Sequence, residues 1–224
     1  MARRTKEEAL ATRSALLDAA ECLFQLQGVS STSLQHIALR AGTTRGAVYW
    51  HFKDKADLFN AMMERVTLPL ESYFNVQPTS KQLSDNPEAY SLERTRNAIL
   101  KALHQIVHDT QTRRVLEIAT QKVEFVEEHC AIRARHLTLC NGFLCRVQQG
   151  LIAASRHENF ELPLPSETAA RGLHALVDGL IQNWLLDPEA FDLVDVGNRL
   201  LDIYLTGLGF SAEHIGSAVP RPNC

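Results

Sequence analysis

Two stretches of about two helical turns each, joined through Ala41-Gly42-Thr43, constrain this chain more than any other feature. Leu34, Ile37, Ala38 and Ala41 form one apolar stripe that Gly42 ends, and Ala47, Val48 and Phe52 form a second that Thr43 can cap. Helices this short cannot stand alone in water, so neighbours must brace them. Lys6 to Gln27 supplies one brace: Leu16, Leu17, Ala20, Leu23 and Phe24 recur at helical spacing, and Gly28 follows at the position of a left-handed C-cap. Thr32 and Gln35 have the spacing of a capping box for the second helix, and Asp54 can cap a fourth carrying Leu58, Phe59, Met62, Met63 and Val66. The economical use of such a braced pair is a helix-turn-helix, in which the outer face of the second member enters a major groove.

The residues left on that face suit a duplex. Arg45 can pair with guanine through two donors, Thr44 can meet a thymine methyl or a base edge, and Gly46 lets the backbone approach closely. Tyr49, His51 and Lys55 can donate to phosphates, Ser33 with the amides of its helix start can hold another, and Thr43 stands at the mouth of the reading helix. In isolation Tyr49, Trp50 and Phe52 read equally well as packing aromatics. On this division of labour Arg45 and Thr44 discriminate bases, while removing Lys55 would weaken all sequences alike and flatten the salt dependence by about one unit.

Charge alone does not announce a nucleic-acid partner, because the net charge is -3. Its distribution does better: residues 1–60 carry +2 and the remainder -5. Serine, histidine and aspartate are scattered, with no GxSxG, HExxH or phosphate-cradling glycine loop, so no enzyme and no cofactor are expected. His104 and His108 stand four apart on one helix, a spacing that can hold a metal, but two ligands are too few for a structural site. Five cysteines without a CxxC pair signal neither a disulfide framework nor a zinc ribbon. A thiol switch would rest on Cys140 and Cys145, which one helix would place on faces about 140° apart. No apolar run is long enough to span a bilayer and the first residues have no apolar stretch like that of a signal peptide, so a cytoplasmic location is expected.

Beyond the first sixty residues the pattern stays helical and no strand alternation of useful length appears. Between Asn75 and Pro87 the sequence turns polar, with two prolines, and predicts a loop. Leu92, Ile99, Leu103 and Ile106 mark a helix, residues 113–155 one or two more, and Phe160 to Pro165 a break. The cleanest stripes come last: Leu173, Leu176, Val177, Leu180, Ile181 and Trp184, then Val196, Leu200, Ile203, Tyr204 and Leu208 after Asp192. Residues 211–224 read as a flexible tail.

The run Thr32-Ser33-Leu34-Gln35-His36-Ile37-Ala38, followed by Ala41-Gly42-Thr43-Thr44-Arg45-Gly46-Ala47-Val48-Tyr49-Trp50-His51-Phe52-Lys53-Asp54-Lys55-Ala56-Asp57-Leu58-Phe59, closely resembles the DNA-binding domain of TetR-type repressors. Three further segments, Arg3 to Ala9, Lys122 to Glu128 and Asp178 to Pro188, are similar to the AcrR and TtgR branch of that family, whose members repress multidrug efflux pump operons. Gln121-Lys122-Val123 departs from the His-Lys-Cys common there.

The resemblance implies an all-α fold of about nine helices: a three-helix helix-turn-helix DNA-binding domain over 1–56, a helical ligand-binding and dimerisation domain over 57–210, and the tail. It implies a homodimeric repressor on a palindromic operator of double-stranded DNA, released by a small hydrophobic effector such as an antibiotic or dye. Two copies are also what reading a genome requires, since one recognition helix contacts only a few base pairs. Leu173, Leu180, Trp184, Leu200 and Tyr204 are the expected dimer-interface residues, although periodicity alone leaves it equally open that these stripes fill the chain's own core. Helices from Met62 to Gln182 are implied to enclose a pocket. Met62, Val66, Ile99, Leu103, Leu116, Phe143, Val147 and Val177 would be its apolar walls, with His174 and Asp178 as polar anchors. The fourth helix, running from Lys55 past Met62, would be the lever between effector and DNA. A regulator of another pathway, metal- or redox-responsive, or an activator, is the alternative.

Overall fold

A computed structural model of the chain describes residues 6–72, 92–123 and 130–211. The expected polar loop at Asn75 to Pro87 and the tail from residue 212 lie outside the described residues, as do Arg3, Arg4 and residues 124–129. All regular structure among the described residues is helical: α1 Lys6–Gln27, α2 Leu34–Arg40, α3 Arg45–His51, α4 Lys55–Ser72, α5 Leu92–His108, α6 Thr110–Gln121, α7 Cys130–His157, α8 Ser166–Leu186 and α9 Leu193–Gly207. The chain divides into two compact units, Met1–Pro69 with Thr110–Thr138, and Leu70–Asp109 with Leu139–Cys224. The first unit therefore extends past the expected boundary at residue 56: it keeps most of α4, and it recruits α6 and the first turns of α7 from the middle of the chain.

Its core explains why. Leu16, Ala20 and Phe24 of α1 are fully buried against Ile37, Val48 and Met62, and the same cluster takes in Val115 and Ile118 of α6 and Ile132 of α7. Helices of seven residues acquire their stability from this shared apolar interior rather than from propensity. Gly28 (φ +83°) and Gly42 (φ +66°) hold the left-handed positions that end α1 and the turn after α2. The capping details differ by one residue from expectation at two places. Ser33, not Thr32, caps α2 by accepting from the His36 N–H at 3.2 Å, and Thr44, not Thr43, caps α3 by accepting from Ala47 N–H at 3.3 Å. Thr32 is buried and its hydroxyl donates instead to the Gly28 carbonyl at 2.7 Å. Asp54 accepts from Asp57 N–H at 2.8 Å at the start of α4, as its position in the sequence suggests.

In the second unit α9 packs on α5 and α8. Leu92, Ile99, Val147, Leu151, Leu173, Leu201 and Leu205 converge on an interior too narrow to admit a water molecule. Gly197 permits this closeness, because a Cβ there would collide with a methyl of the fully buried Leu103. A buried Arg96 ties α5 to α9 through Asp202, at 2.7 Å, and Asn198. Asp192 caps α9 by accepting from Val194 and Asp195 N–H, each at 2.9 Å.

Candidate nucleic-acid interface

Along α3 the chain separates inward from outward residues cleanly. Val48 is fully buried and Phe52 nearly so, while Thr44, Arg45, Gly46, Tyr49 and Trp50 are exposed. Ser33 is exposed at the start of α2, Thr43 and His51 are half-buried, and all of these belong to one unit. The expected reading residues are thus brought together, and some of them are also engaged within the protein. The Thr44 hydroxyl is engaged in the helix cap, which leaves its methyl and its proton for DNA. Trp50, readable as a packing aromatic, is 73% exposed and packs edge-on against His51 with ring centres 4.5 Å apart.

Lys55 is engaged too. Its Nζ donates to the carbonyls of Val29 at 2.8 Å, Thr32 at 3.2 Å and Ser30 at 3.3 Å. An ammonium group has three donors, and these three bonds occupy them. Lys55 therefore fastens the loop between α1 and α2, which is also held by Val29 N–H donating to the Lys122 carbonyl at 3.1 Å. Nothing in the local sequence could have shown this, since the partners lie 23 to 26 residues away.

The expected ligand-contact residues are divided between the units. Met62, Val66 and Leu116 belong to the first, and Ile99, Leu103, Phe143, Val147, His174, Val177 and Asp178 to the second. Met62, Val66, Ile99, Leu103 and Val147 are buried core residues of their own units. Leu116, Phe143, His174, Val177 and Asp178 keep partial exposure; the Phe143 and His174 rings lie 5.5 Å apart, and Gln182 donates to Asp178 at 2.6 Å.

Among the expected interface residues, Leu173 and Trp184 are 1% and 4% exposed in the single chain, so they have almost no surface left to give a partner. Leu180, Leu200 and Tyr204 retain surface. The Tyr204 hydroxyl donates to the Ala169 carbonyl at 2.8 Å, lying over Gly172, where a Cβ would strike it. Ile203 of the second stripe is 67% exposed, and so is Leu186, just beyond the first stripe, at 71%.

His104 and His108 stack with centres 3.9 Å apart, and no cluster of three metal-ligating side chains occurs among the described residues. Cys130 and Cys145 are exposed, whereas Cys140 is half-buried, and burial followed by the nearby Asp178 carboxylate pushes its thiol above the ordinary value. With less thiolate at any pH, Cys140 is expected to be alkylated several-fold more slowly at pH 8 than Cys130 and Cys145; peptide mass spectrometry over a time course of iodoacetamide labelling checks this.

Residues 16–62 match the model of bacterial regulatory proteins of the tetR family, and residues 90–210 match that of the C-terminal region of MAATS-type transcriptional repressors. The chain belongs to the TetR family. This TetR-family regulator is 36% identical over 211 residues to the transcriptional regulator TtgR of Pseudomonas putida, covering 94% of this chain and 98% of the relative. Its fold matches NalD, the secondary repressor of the MexAB-OprM multidrug efflux pump in Pseudomonas aeruginosa, with a TM-score of 0.74 and 38% identity over 88% of this chain and 95% of NalD. It also matches SmeT, the repressor of a Stenotrophomonas maltophilia multidrug efflux pump, in a complex with triclosan, with a TM-score of 0.72 and 29% identity over 94% of this chain and 100% of SmeT. The regulator is accordingly a helix-turn-helix DNA-binding protein. Among its described residues no helix is long and apolar enough to cross a membrane.

Proposed function

We propose that this regulator represses a multidrug efflux pump operon, binding a palindromic operator as a homodimer and leaving it when a small hydrophobic molecule binds, with no catalytic step and in the cytoplasm. The observation that carries the reading is the likeness to an efflux-pump repressor over 88% of the chain, with family matches in both the reading head and the C-terminal region, together with an α3 face whose polar side chains point to solvent. Release is a population shift: an effector that prefers the conformer with wrongly spaced heads lowers operator affinity by its differential binding to the two conformers. Leu180, Leu200, Leu186 and Ile203 supply the apolar surface on α8 and α9 that a two-fold partner would cover. The partly exposed Phe143, His174 and Asp178 supply the aromatic and polar groups that would meet an effector.

Footprinting on the intergenic DNA upstream of the chain's own gene, with and without a panel of pump substrates including triclosan, tests the proposal. A symmetric protected site that fades as a substrate is added is the expected result. Protection that persists at saturating levels of every compound would remove the efflux reading and leave a DNA-binding regulator of another pathway.

A further inference from the structure

Arg45 and Tyr49 stand one helical turn apart on the exposed face of α3, and they are joined in the free protein. The Arg45 guanidinium donates to the Tyr49 hydroxyl at 3.1 Å and sits over the same ring, its central carbon 5.5 Å from the ring centre. Hydrogen bond and cation–π attraction together fix both the direction and the plane of a side chain that would otherwise wander among many rotamers. We propose that Tyr49 is a positioning residue for base recognition, holding Arg45 in the orientation in which it reads its base. This rests on the DNA-binding reading above and assigns a mechanism to one of its residues.

The neighbourhood favours this role. Gly46, beside Arg45, presents no side chain to crowd the clamp, and a Cβ built there would approach only the Thr44 hydroxyl, at 3.9 Å. The Thr44 hydroxyl oxygen accepts in the helix cap and keeps a single proton to donate, so Arg45 is the side chain on this face with several donors to offer a base edge. One bond to Tyr49 uses one of the five guanidinium donors and leaves enough for a two-point pairing with a guanine edge. The clamp also lowers the cost of binding, since the rotamer freedom of Arg45 is surrendered before the duplex arrives. Tyr49 keeps its own hydroxyl proton, which remains free to meet a phosphate without disturbing the clamp.

The test separates orientation from affinity. Duplexes enriched from a randomised library by the full-length parent protein, and every single-base variant of the enriched site, are titrated against the parent, Tyr49→Phe, Arg45→Ala and the double variant. If the Tyr49 hydroxyl served only to hold a phosphate, Tyr49→Phe would weaken all duplexes equally, and the ratio of affinities for the enriched site and its variants would not move. The proposal expects that ratio to fall about fivefold at one symmetric pair of positions, the pair where Arg45→Ala also abolishes discrimination, and to be unchanged by Tyr49→Phe once Arg45 is gone. Ratios unchanged at every position, or a Tyr49→Phe effect that persists in full in the Arg45→Ala background, would overturn the clamp while leaving DNA binding intact. Failure of the parent to enrich any sequence would overturn the DNA-binding reading and the clamp with it.

Discussion

Arg65→Ala is expected to cost the first unit about 3–5 kcal/mol, enough to unfold it at far milder urea concentrations than the parent. Arg65 reaches from α4 to α1, where it pairs with Asp18 and with Glu21, at 3.0 Å, and donates to the Ser14 carbonyl and hydroxyl. The two acids are not equivalent. Asp18 is 64% exposed and its pairing is worth little once water screens it, whereas the Glu21 side chain is 3% exposed. Taking away Arg65 strands that carboxylate inside the unit with the neutral Gln111 amide, at 2.8 Å, beside it. The size of the loss comes from the abandoned charge, and this supplies the control: Arg65→Ala combined with Glu21→Gln should recover a substantial part of it. Urea unfolding followed by circular dichroism, with hydrogen exchange on α1 to localise the effect, makes the measurement. A loss below about 1 kcal/mol, or a double variant no more stable than the single one, would contradict this account.

Lys55→Met should destabilise the same unit by about 2 kcal/mol while leaving the slope of operator affinity against salt where it was. The methionine keeps the apolar stem and deletes only the ammonium that three loop carbonyls share. Sequence reasoning expects instead a slope flattened by about one unit, the signature of a lysine that neutralises a phosphate. Thermal melts beside titrations at several salt concentrations distinguish the two, and a flattened slope with an unchanged melting temperature would restore Lys55 to the DNA-binding face.

The contrast between these two readings of Lys55 marks how far the sequence could be read. Periodicity located the helices, and Gly28, Asp54 and Asp192 marked where they stop or start because a left-handed turn or a side-chain cap is a local requirement. Adjacent capping residues were harder: Thr32 and Ser33, or Thr43 and Thr44, offer the same hydroxyl, and only the path of the backbone decides which one meets the free amides. Stripes on α8 and α9 indicated burial without saying by what, so Leu173 and Trp184 turned out to be covered within the chain while Leu186 and Ile203 were left outside. Arg65 with Glu21, 44 positions apart, and Arg96 with Asp202, 106 apart, carry no local signal at all. The surface of α3 was the most legible part of the site, because a seven-residue helix has few residues to distribute and its buried face is fixed by Val48 and Phe52.

The composition of the first unit also sets a schedule for its manufacture. Glu21 meets Gln111 and Gln25 meets Glu117 across separations of 90 and 92 residues, and Val29 waits for the Lys122 carbonyl. A nascent chain emerging N-terminus first can coil α1 to α4 early, but it cannot close the core around Val115 and Ile118 until the ribosome has delivered more than half of the polypeptide. For the same reason the reading head is not a cassette. A chimera that transplants only residues 1–62 onto another regulator's body would separate Phe24 and Met62 from the α6 members of their shared core, Val115 and Ile118, so an exchange of operator specificity by grafting has to move Thr110–Thr138 as well.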